Sequence, residues 1–320
     1  MKFNPKALII AAKHTIQRVG HFLNPRIKWA ISITREEGFK RFLFVTIRVL
    51  HLKLIRFLYL RIGKNYKLET IQGSKLYLDL NDKGISTELF IERIREVEST
   101  KNLQRILRKG DIVIDIGANI GYYALMEARL VAETGKVYAC EPIPKSIELL
   151  KKSIEANHYA NIEILNIALG DRNGTAEIYL SRNSNWHSMS DLRTFEEMGK
   201  MVVEVRTVDK LLEDTDFPNF IRMDVEGYES KVIKGMENTM KNSKLTGLFI
   251  EIHPVLLSES ELVELLTTLK RNSFEIAKMT IGTRPERTYD SITIDDILQN
   301  GMPQPHHVGA ETFFERKSHL

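Results

Sequence analysis

The sequence is poor in cysteine, with only Cys140 among 320 residues. A single thiol excludes an internal disulfide framework and is typical of proteins from a reducing compartment. Cys140 ends the apolar run 137–140, which favours a buried, inert thiol over a nucleophile. Internal repeats and low-complexity tracts are also lacking, which excludes a solenoid. We therefore expect a globular protein of the cytoplasm.

The dinucleotide fingerprint Gly-x-Gly-x-x-Gly is also missing, although a glycine turn is present. Residues 111–116 form a short apolar run typical of a buried parallel strand, and Gly117 and Gly121 bracket the turn after it. Asn119 is expected to cap a helix over about residues 120–132. A strand, a glycine turn and a helix start make a nucleotide-sized site. The altered spacing indicates a ligand other than NAD.

Acidic residues are nearly absent from the N-terminal segment. Residues 1–67 hold 15 Lys or Arg and 2 Glu, a net charge of +13, whereas the remainder holds 31 basic and 40 acidic residues, a net charge of −9. Residues 39–62 are the most apolar part of this segment but contain several cations. Each cation near the centre of a bilayer costs roughly 2.5–3.5 kcal/mol, so a spanning helix is disfavoured.

Two interpretations of the basic segment stay open. Residues 39–62 form either an interfacial helix on anionic lipid, which would give peripheral contact at the cytoplasmic face of a membrane, or helices packed on the domain or on a second copy. Nucleic acid ranks third, because basic tails that bind it are rarely this apolar.

Strand-like and helical segments alternate in the rest of the chain, which predicts a doubly wound, parallel α/β sheet. We divide the chain into a basic helical extension (1–67), an α/β domain (68–300) and an irregular tail (301–320). The alternation is interrupted by the polar loop 181–200, which contains His187. A long loop at the edge of such a sheet is usually a lid or a substrate loop.

Small or polar residues follow the predicted strands at the points where they end. They are Asp115, Gly117, Asn119 and Gly121; Glu141; Ala168 and Leu169; Asp224, Glu226 and Gly227; Glu251 and His253. Ligands of open α/β sheets bind outside the carboxyl ends of the strands. Glu141 lies 26 residues after Asp115 (141 − 115), a position that suits a carboxylate accepting hydrogen bonds from a ribose diol.

Several segments resemble, in order and spacing, the FkbM-type methyltransferases. They are Asp115-Ile-Gly-Ala-Asn-Ile-Gly121, Glu141-Pro142, Asn166-Ile-Ala-Leu-Gly170, Asp224-Val-Glu-Gly-Tyr-Glu229 and Glu251-Ile-His-Pro254. The resemblance covers about residues 68–254, including the run 79–86 upstream. It implies a class I S-adenosylmethionine-dependent methyltransferase with a Rossmann-like, seven-stranded sheet whose last strand is antiparallel.

The resemblance also implies residue roles. Asp115, Gly117 and Gly121, with Asn119 in the same turn, would line the amino acid end of the cofactor. Glu141 would hold the ribose. The adenine would be flanked by Ala168 and Leu169. Members of this family typically O-methylate hydroxyls of sugars or polyketide-like natural products, so the expected partner is a small-molecule or glycan acceptor.

Methyl transfer to a hydroxyl needs in-line alignment and removal of a proton. Asp224 is the preferred base, and His253 and His187 come next. Alternatively, Asp224 and Glu251 hold Mg²⁺, which lowers the pKa of the hydroxyl. Asp224 also fits a purely structural role as the cap of a helix near Tyr228.

The sequence disfavours two other function classes. A non-catalytic module that retains the cofactor fold is expected to lose the cofactor turn, yet both glycines of that turn are present. A nucleic-acid methyltransferase is disfavoured because the segment at Asp224 reads Asp-Val-Glu-Gly, unlike the Asn/Asp-Pro-Pro-Tyr/Phe segment of base-methylating enzymes. The net negative charge after residue 67 also opposes phosphate binding.

Overall fold

The computed structural model describes residues 39–181, 189, 197–282, 286–303 and 309–317. The chain divides into two units at Phe57 and Leu58. The helices are α1 (Phe39–Arg61), α2 (Ile85–Glu92), α3 (Val97–Ile106), α4 (Tyr122–Val131), α5 (Pro144–Asn157), α6 (Val208–Leu211), α7 (Glu229–Lys234), α8 (Glu237–Lys241), α9 (Glu259–Arg271) and α10 (Ile294–Asn300).

Thirteen strands are present in the described part of the chain. They are β1 (Tyr66–Ile71), β2 (Ser74–Asp79), β3 (Ile112–Ile116), β4 (Lys136–Cys140), β5 (Ile162–Leu165), β6 (Ala168–Leu169), β7 (Gly174–Ser181), β8 (Glu197–Arg206), β9 (Phe220–Met223), β10 (Gly247–Ile252), β11 (Phe274–Ile281), β12 (Arg287–Tyr289) and β13 (Ala310–Arg316). Strands β1 and β2 form a hairpin, and β6, β8 and β7 form a small separate sheet.

The main sheet has the order β12-β11-β13-β10-β9-β3-β4-β5. Neighbours from β5 to β10 run parallel, whereas β13 is antiparallel to both β10 and β11. The predicted doubly wound α/β fold with an antiparallel last strand is therefore confirmed. The count differs, because the three-residue strand β12 pairs with the edge of β11 and makes eight strands where seven were expected.

The tail after residue 301 is not irregular throughout, which corrects the sequence-based prediction. Strand β13 lies between β10 and β11, and its side chains Phe313 and Phe314 are buried. The ring of Phe313 stacks on that of Phe249 at a centroid distance of 4.2 Å. The sequence around this strand concealed it because three charged residues, at 311, 315 and 316, interrupt the apolar pattern.

Two helical regions are interrupted, and one predicted helix has different bounds. Residues 85–106 hold the separate helices α2 and α3, because Arg93 and Glu96 adopt positive φ angles of 66° and 44°. Residues 229–241 hold the separate helices α7 and α8. Helix α4 begins two residues later than predicted, and Asn119 does not cap it; Asn119 belongs to the preceding turn, with φ of 50°.

The interruption after β6 contains the antiparallel pair of strands β7 and β8. Residues 182–188 and 190–196 lie outside the described residues, so the prediction of a substrate loop there stays a prediction. The candidate base His187 falls in that part of the chain.

Candidate active site

A cleft opens at the carboxyl ends of β3, β4 and β9. Its lining combines apolar side chains with three carboxylates. The lining residues are Ile116, Gly117, Asn119, Cys140, Glu141, Pro142, Ile143, Ile167, Ala168, Leu169, Ile178, Met189, Asp224, Val225 and Glu226. This is the position at which open α/β sheets bind nucleotide-like ligands. Seven of the residues that the sequence places at the ends of predicted strands thus meet at one site. They are Gly117, Asn119, Glu141, Ala168, Leu169, Asp224 and Glu226.

The turn after β3 needs glycine at position 117. Gly117 has φ of 81°, and a Cβ atom there would lie 2.0 Å from the backbone oxygen of Asp224. The amide groups of Gly117 and Ala118 both donate to the carbonyl of Cys140, at 3.0 and 3.1 Å. These bonds join the turn to the end of β4, so the backbone stays close to the neighbouring strand on one side of the cleft.

Glu141 is held in one orientation by the backbone. Its Oε2 atom accepts from the amide of Asn119 and its Oε1 atom from the amide of Ile143, both at 2.8 Å. Each carboxylate oxygen keeps a second lone pair, which suits a carboxylate that accepts two further hydrogen bonds from a vicinal diol. Burial outweighs these amide bonds and raises the pKa of Glu141 to about 7.

The raised pKa of Glu141 predicts a pH-dependent affinity for S-adenosylmethionine. A protonated carboxyl loses acceptor capacity, so affinity should rise as the pH increases through about 7 and then level off. Glu141→Gln imitates the protonated form and should weaken binding about tenfold above that pH. Titration calorimetry measures the affinity of the unmodified protein and of Glu141→Gln from about pH 6 to about pH 8.5. Their ratio is used because protonation of the ligand itself affects both affinities equally. A ratio that does not change with pH would contradict the role of Glu141.

Asp115 is not among the residues that line the cleft, and the role that the family resemblance implied for it stays a prediction. Its side chain is fully buried, and Oδ1 accepts from Nη1 of Arg222 at 2.9 Å. The two residues are direct neighbours in the register of β3 and β9. Glu127 of α4 is also fully buried, and burial followed by the charge of Asp115 raises the pKa of Glu127 well above its usual range. Arg222 compensates the charge of Asp115.

Gly121 is likewise absent from the lining of the cleft. A Cβ atom at Gly121 would lie 2.4 Å from Cδ1 of Leu150, and the residue has φ of 95°. The absence of a side chain at Gly121 therefore lets the turn pack closely on α5. Contact between Gly121 and the cofactor stays a prediction. The glycine spacing predicted the turn correctly but could not distinguish which glycine faces the cleft.

Arg222 connects the buried pair to the cleft. Its Nη2 atom donates to Oδ2 of Asp224 at 3.1 Å, and its guanidinium lies 4.1 Å from the centre of the Tyr123 ring. The other oxygen of Asp224, Oδ1, is buried and has no hydrogen-bond partner among the described residues. One carboxylate oxygen is thus fixed by the protein, and the second is left for a ligand.

Sequence reasoning passed over Arg222, although a signal was present. A charged residue inside the buried strand Phe220-Ile-Arg-Met223 requires a buried partner. Asp115 occupies the middle of another buried strand, so the two could have been paired from their environments alone.

His253 is buried behind the cleft and does not line it. Its Nδ1 atom lies 2.6 Å from Oε1 of Glu229, and its Nε2 atom lies 3.3 Å from Oε2 of Glu226. Burial lowers the pKa of His253, but the carboxylates of Glu226 and Glu229 outweigh it and raise the pKa well above its ordinary value. Both ring nitrogens thus face carboxyl groups in a buried cluster, and the role of His253 as a base stays a prediction.

Two further carboxylates adjoin His253. Burial raises the pKa of Glu226 to about 8, and burial together with Asp224 raises the pKa of Glu251 well above its usual range. Oxygen and nitrogen atoms of Asp224, Glu226 and His253 lie within 4.8 Å of one another, a grouping that a divalent cation could occupy. The predicted alternative pair was Asp224 with Glu251; the structure places Glu226 closer to His253 than Glu251, whose Oε1 atom is 3.6 Å from Nε2.

Residues 115–276, about half of the chain, match the model of the methyltransferase FkbM domain. The chain belongs to this family. It is an S-adenosylmethionine-dependent methyltransferase with a Rossmann-like sheet, as the motif resemblance implied.

The similar proteins include other methyltransferases. The chain is 26% identical over 200 residues to hexuronic acid methyltransferase AglP of Haloferax volcanii, a match that covers 57% of this chain and 77% of AglP. It is 37% identical over 65 residues to protein-L-isoaspartate O-methyltransferase of Methanothrix thermoacetophila, which covers 20% of this chain and 30% of that protein.

A solved structure, methyltransferase FkbM from Methylobacillus flagellatus KT, is 15% identical to this family member. The match covers 71% of this chain and 52% of that chain, with a TM-score of 0.41.

The cleft residues fit S-adenosylmethionine. Gly117 keeps the turn free of a side chain, and Glu141 offers two acceptor atoms to a diol. Apolar side chains at Ile143, Ala168 and Leu169 provide walls for a flat base. The family assignment and the chemistry of this lining agree.

Proposed function

We propose that this methyltransferase transfers a methyl group to a hydroxyl of a sugar, glycan or glycolipid-like acceptor, with Asp224 as the general base. The observation that carries the proposal is the environment of Asp224. It lines the cleft, Arg222 fixes its Oδ2 atom, and its Oδ1 atom has no hydrogen-bond partner in the described part of the chain. An acceptor hydroxyl could occupy that position.

The cofactor half of the cleft is assigned as follows. Glu141 holds the ribose, Ala168 and Leu169 flank the adenine, and the turn at Gly117 and Asn119 borders the amino acid end. When bound, the cofactor supplies a methyl group that its sulfonium has already activated. The residues of the chain therefore have to hold the acceptor in line and remove its proton.

Asp224 is suited to both tasks. Its bond to Arg222 sets the orientation of the carboxylate before the acceptor enters. A base that is already oriented needs little reorganisation free energy when the reaction occurs. The Oδ1 atom would then accept the proton that the acceptor hydroxyl gives up. Arg222 also bonds Asp115, so its position does not depend on Asp224 alone.

The acceptor class rests on similarity and on charge. AglP, a protein of similar sequence, is named for methylating a hexuronic acid. The carboxyl groups of Asp224 and Glu226 at the cleft can accept hydrogen bonds from several hydroxyl groups, and the charge of Asp224 would repel a phosphate backbone. These features favour a polyhydroxyl acceptor over nucleic acid.

Chelation distinguishes direct base catalysis from metal assistance. Because the proposal assigns proton removal to Asp224, excess EDTA should leave the initial rate of methyl transfer essentially unchanged. The comparison is made on the same protein with EDTA and with EDTA plus excess Mg²⁺. If the rate fell strongly with EDTA and returned with Mg²⁺, activation of the acceptor hydroxyl would be assigned to a metal ion held by Asp224, Glu226 and His253.

The acceptor class is tested with labelled S-adenosylmethionine. The protein is incubated with separate fractions of free glycans, lipid-linked sugars and RNA, and label is measured in each. We expect incorporation into a sugar-containing fraction, with the label in a base-stable ether. Incorporation into RNA alone, or into a base-labile ester, would overturn the sugar hydroxyl as the acceptor.

A further inference from the structure

Helix α1 exposes a continuous apolar stripe, which we define as Ile47, Leu50, Leu54 and Phe57. These side chains are 57%, 61%, 56% and 52% exposed. Their spacing of three, four and three residues places them on one face of the helix. Side chains at 49, 52 and 55, on the other side, are only partly exposed. The exposed stripe is therefore a feature of one face and not of the whole helix.

Such exposure is concentrated in this part of the chain. Seven large apolar side chains of the described residues are more than half exposed, and Val202 alone lies outside residues 47–62. Scattered apolar residues on a surface are ordinary, whereas a contiguous row of them indicates a surface that binds something.

The charge around the apolar stripe indicates what it binds. Residues 1–67 carry a net charge of +13. The exposed cations Lys53 and Arg61 lie within about a quarter turn of the stripe, from where long side chains can reach anionic groups while the apolar face is buried. A second copy would bring two strongly cationic segments together, which like-charge repulsion opposes. A surface with anionic groups outside and an apolar interior can bind both the cations and the apolar stripe.

We infer that the apolar stripe of α1 binds the surface of an anionic lipid bilayer, with the helix lying in the plane of the interface. The apolar side chains enter the acyl boundary, and the cations contact anionic headgroups. No helix in the described part of the chain is long and apolar enough to span a membrane. This inference concerns the helix only and does not depend on the methyl acceptor.

Vesicle flotation of the full-length protein tests the inference. The protein is expected to float with vesicles that contain phosphatidylglycerol and to stay soluble with phosphatidylcholine alone. Flotation should weaken in high salt, because salt screens the headgroup attraction. The double variant Leu50→Gln with Leu54→Gln should bind anionic vesicles about tenfold less well, because it removes apolar side chains and leaves every charge in place.

The matched control replaces two exposed valines outside the stripe, Val202→Gln with Val263→Gln, which are 66% and 43% exposed. The control should float like the unmodified protein, and circular dichroism should show all three proteins folded. Equal recovery in the soluble fraction with and without anionic vesicles would overturn the inference. Light scattering that shows a dimer, lost in the Leu50 and Leu54 variant and unaffected by lipid, would assign the stripe to a second copy instead.

Discussion

Asp224→Asn is expected to lower the turnover number by about two orders of magnitude or more, the usual contribution of a general base. The amide keeps the size of the carboxylate but cannot accept the proton of the acceptor hydroxyl. Affinity for S-adenosylmethionine should stay nearly unchanged, because Glu141 and the turn at Gly117 are assigned to the cofactor. Single-turnover methyl transfer measures the chemical step, and calorimetry measures the cofactor affinity.

A matched control separates proton removal from a general loss of negative charge. Asp290→Asn removes a carboxylate that is 76% exposed and should leave turnover unchanged. If Asp224→Asn kept full activity, Asp224 would have no part in proton removal, and the neighbouring carboxylate of Glu226 would become the candidate. A parallel loss of cofactor affinity would instead indicate that Asp224 contacts the cofactor.

Arg222→Met should destabilise the fold by about 3–5 kcal/mol, because breaking a buried ion pair leaves an uncompensated charge. Asp115 is fully buried, and among the described residues Arg222 is the cation that pairs with it. The free energy of unfolding is measured by urea titration with circular dichroism.

The pH dependence of this loss has a definite sign. Burial already raises the pKa of Asp115 in the folded protein, and removal of Arg222 would raise it further. When the pKa of a carboxyl group is higher in the folded than in the unfolded protein, the free energy of unfolding falls as the pH rises. The fall begins near the pKa of the unfolded chain, about 4 for Asp. The destabilisation by Arg222→Met should therefore be smaller at acidic than at neutral pH. Adding Asp115→Asn should recover part of the stability at neutral pH; no recovery would mean that Arg222 acts through something other than Asp115.

Local patterns in the sequence predicted most of the parallel half of the sheet. Each strand from β3 to β10 in the main sheet is a short apolar run, and polar residues at their ends converge on the cleft as expected. Apolar runs are sufficient there because β3, β4, β9 and β10 are buried along nearly their whole length. Strand β13 escaped prediction because its place depends on β10 and β11, which are distant in sequence.

The site was less predictable than the fold because the order of residues in a motif does not show which of them face the cleft. Asp115 and Gly121 belong to the same motif as Gly117, but the first faces Arg222 within the sheet and the second packs on Leu150. The protonation of His253 likewise depends on Glu226 and Glu229, which the fold brings to its two nitrogen atoms.

The position of β13 has a consequence for the order in which the protein can be assembled. Strand β13 pairs with β10 on one side and β11 on the other, yet it is synthesised after both. Until residues 310–316 leave the ribosome, β10 and β11 each present an unpaired edge to the surroundings. The parallel half of the sheet can form early, whereas closure of the other half must wait for this strand, and the nascent chain is most exposed to aggregation in that interval.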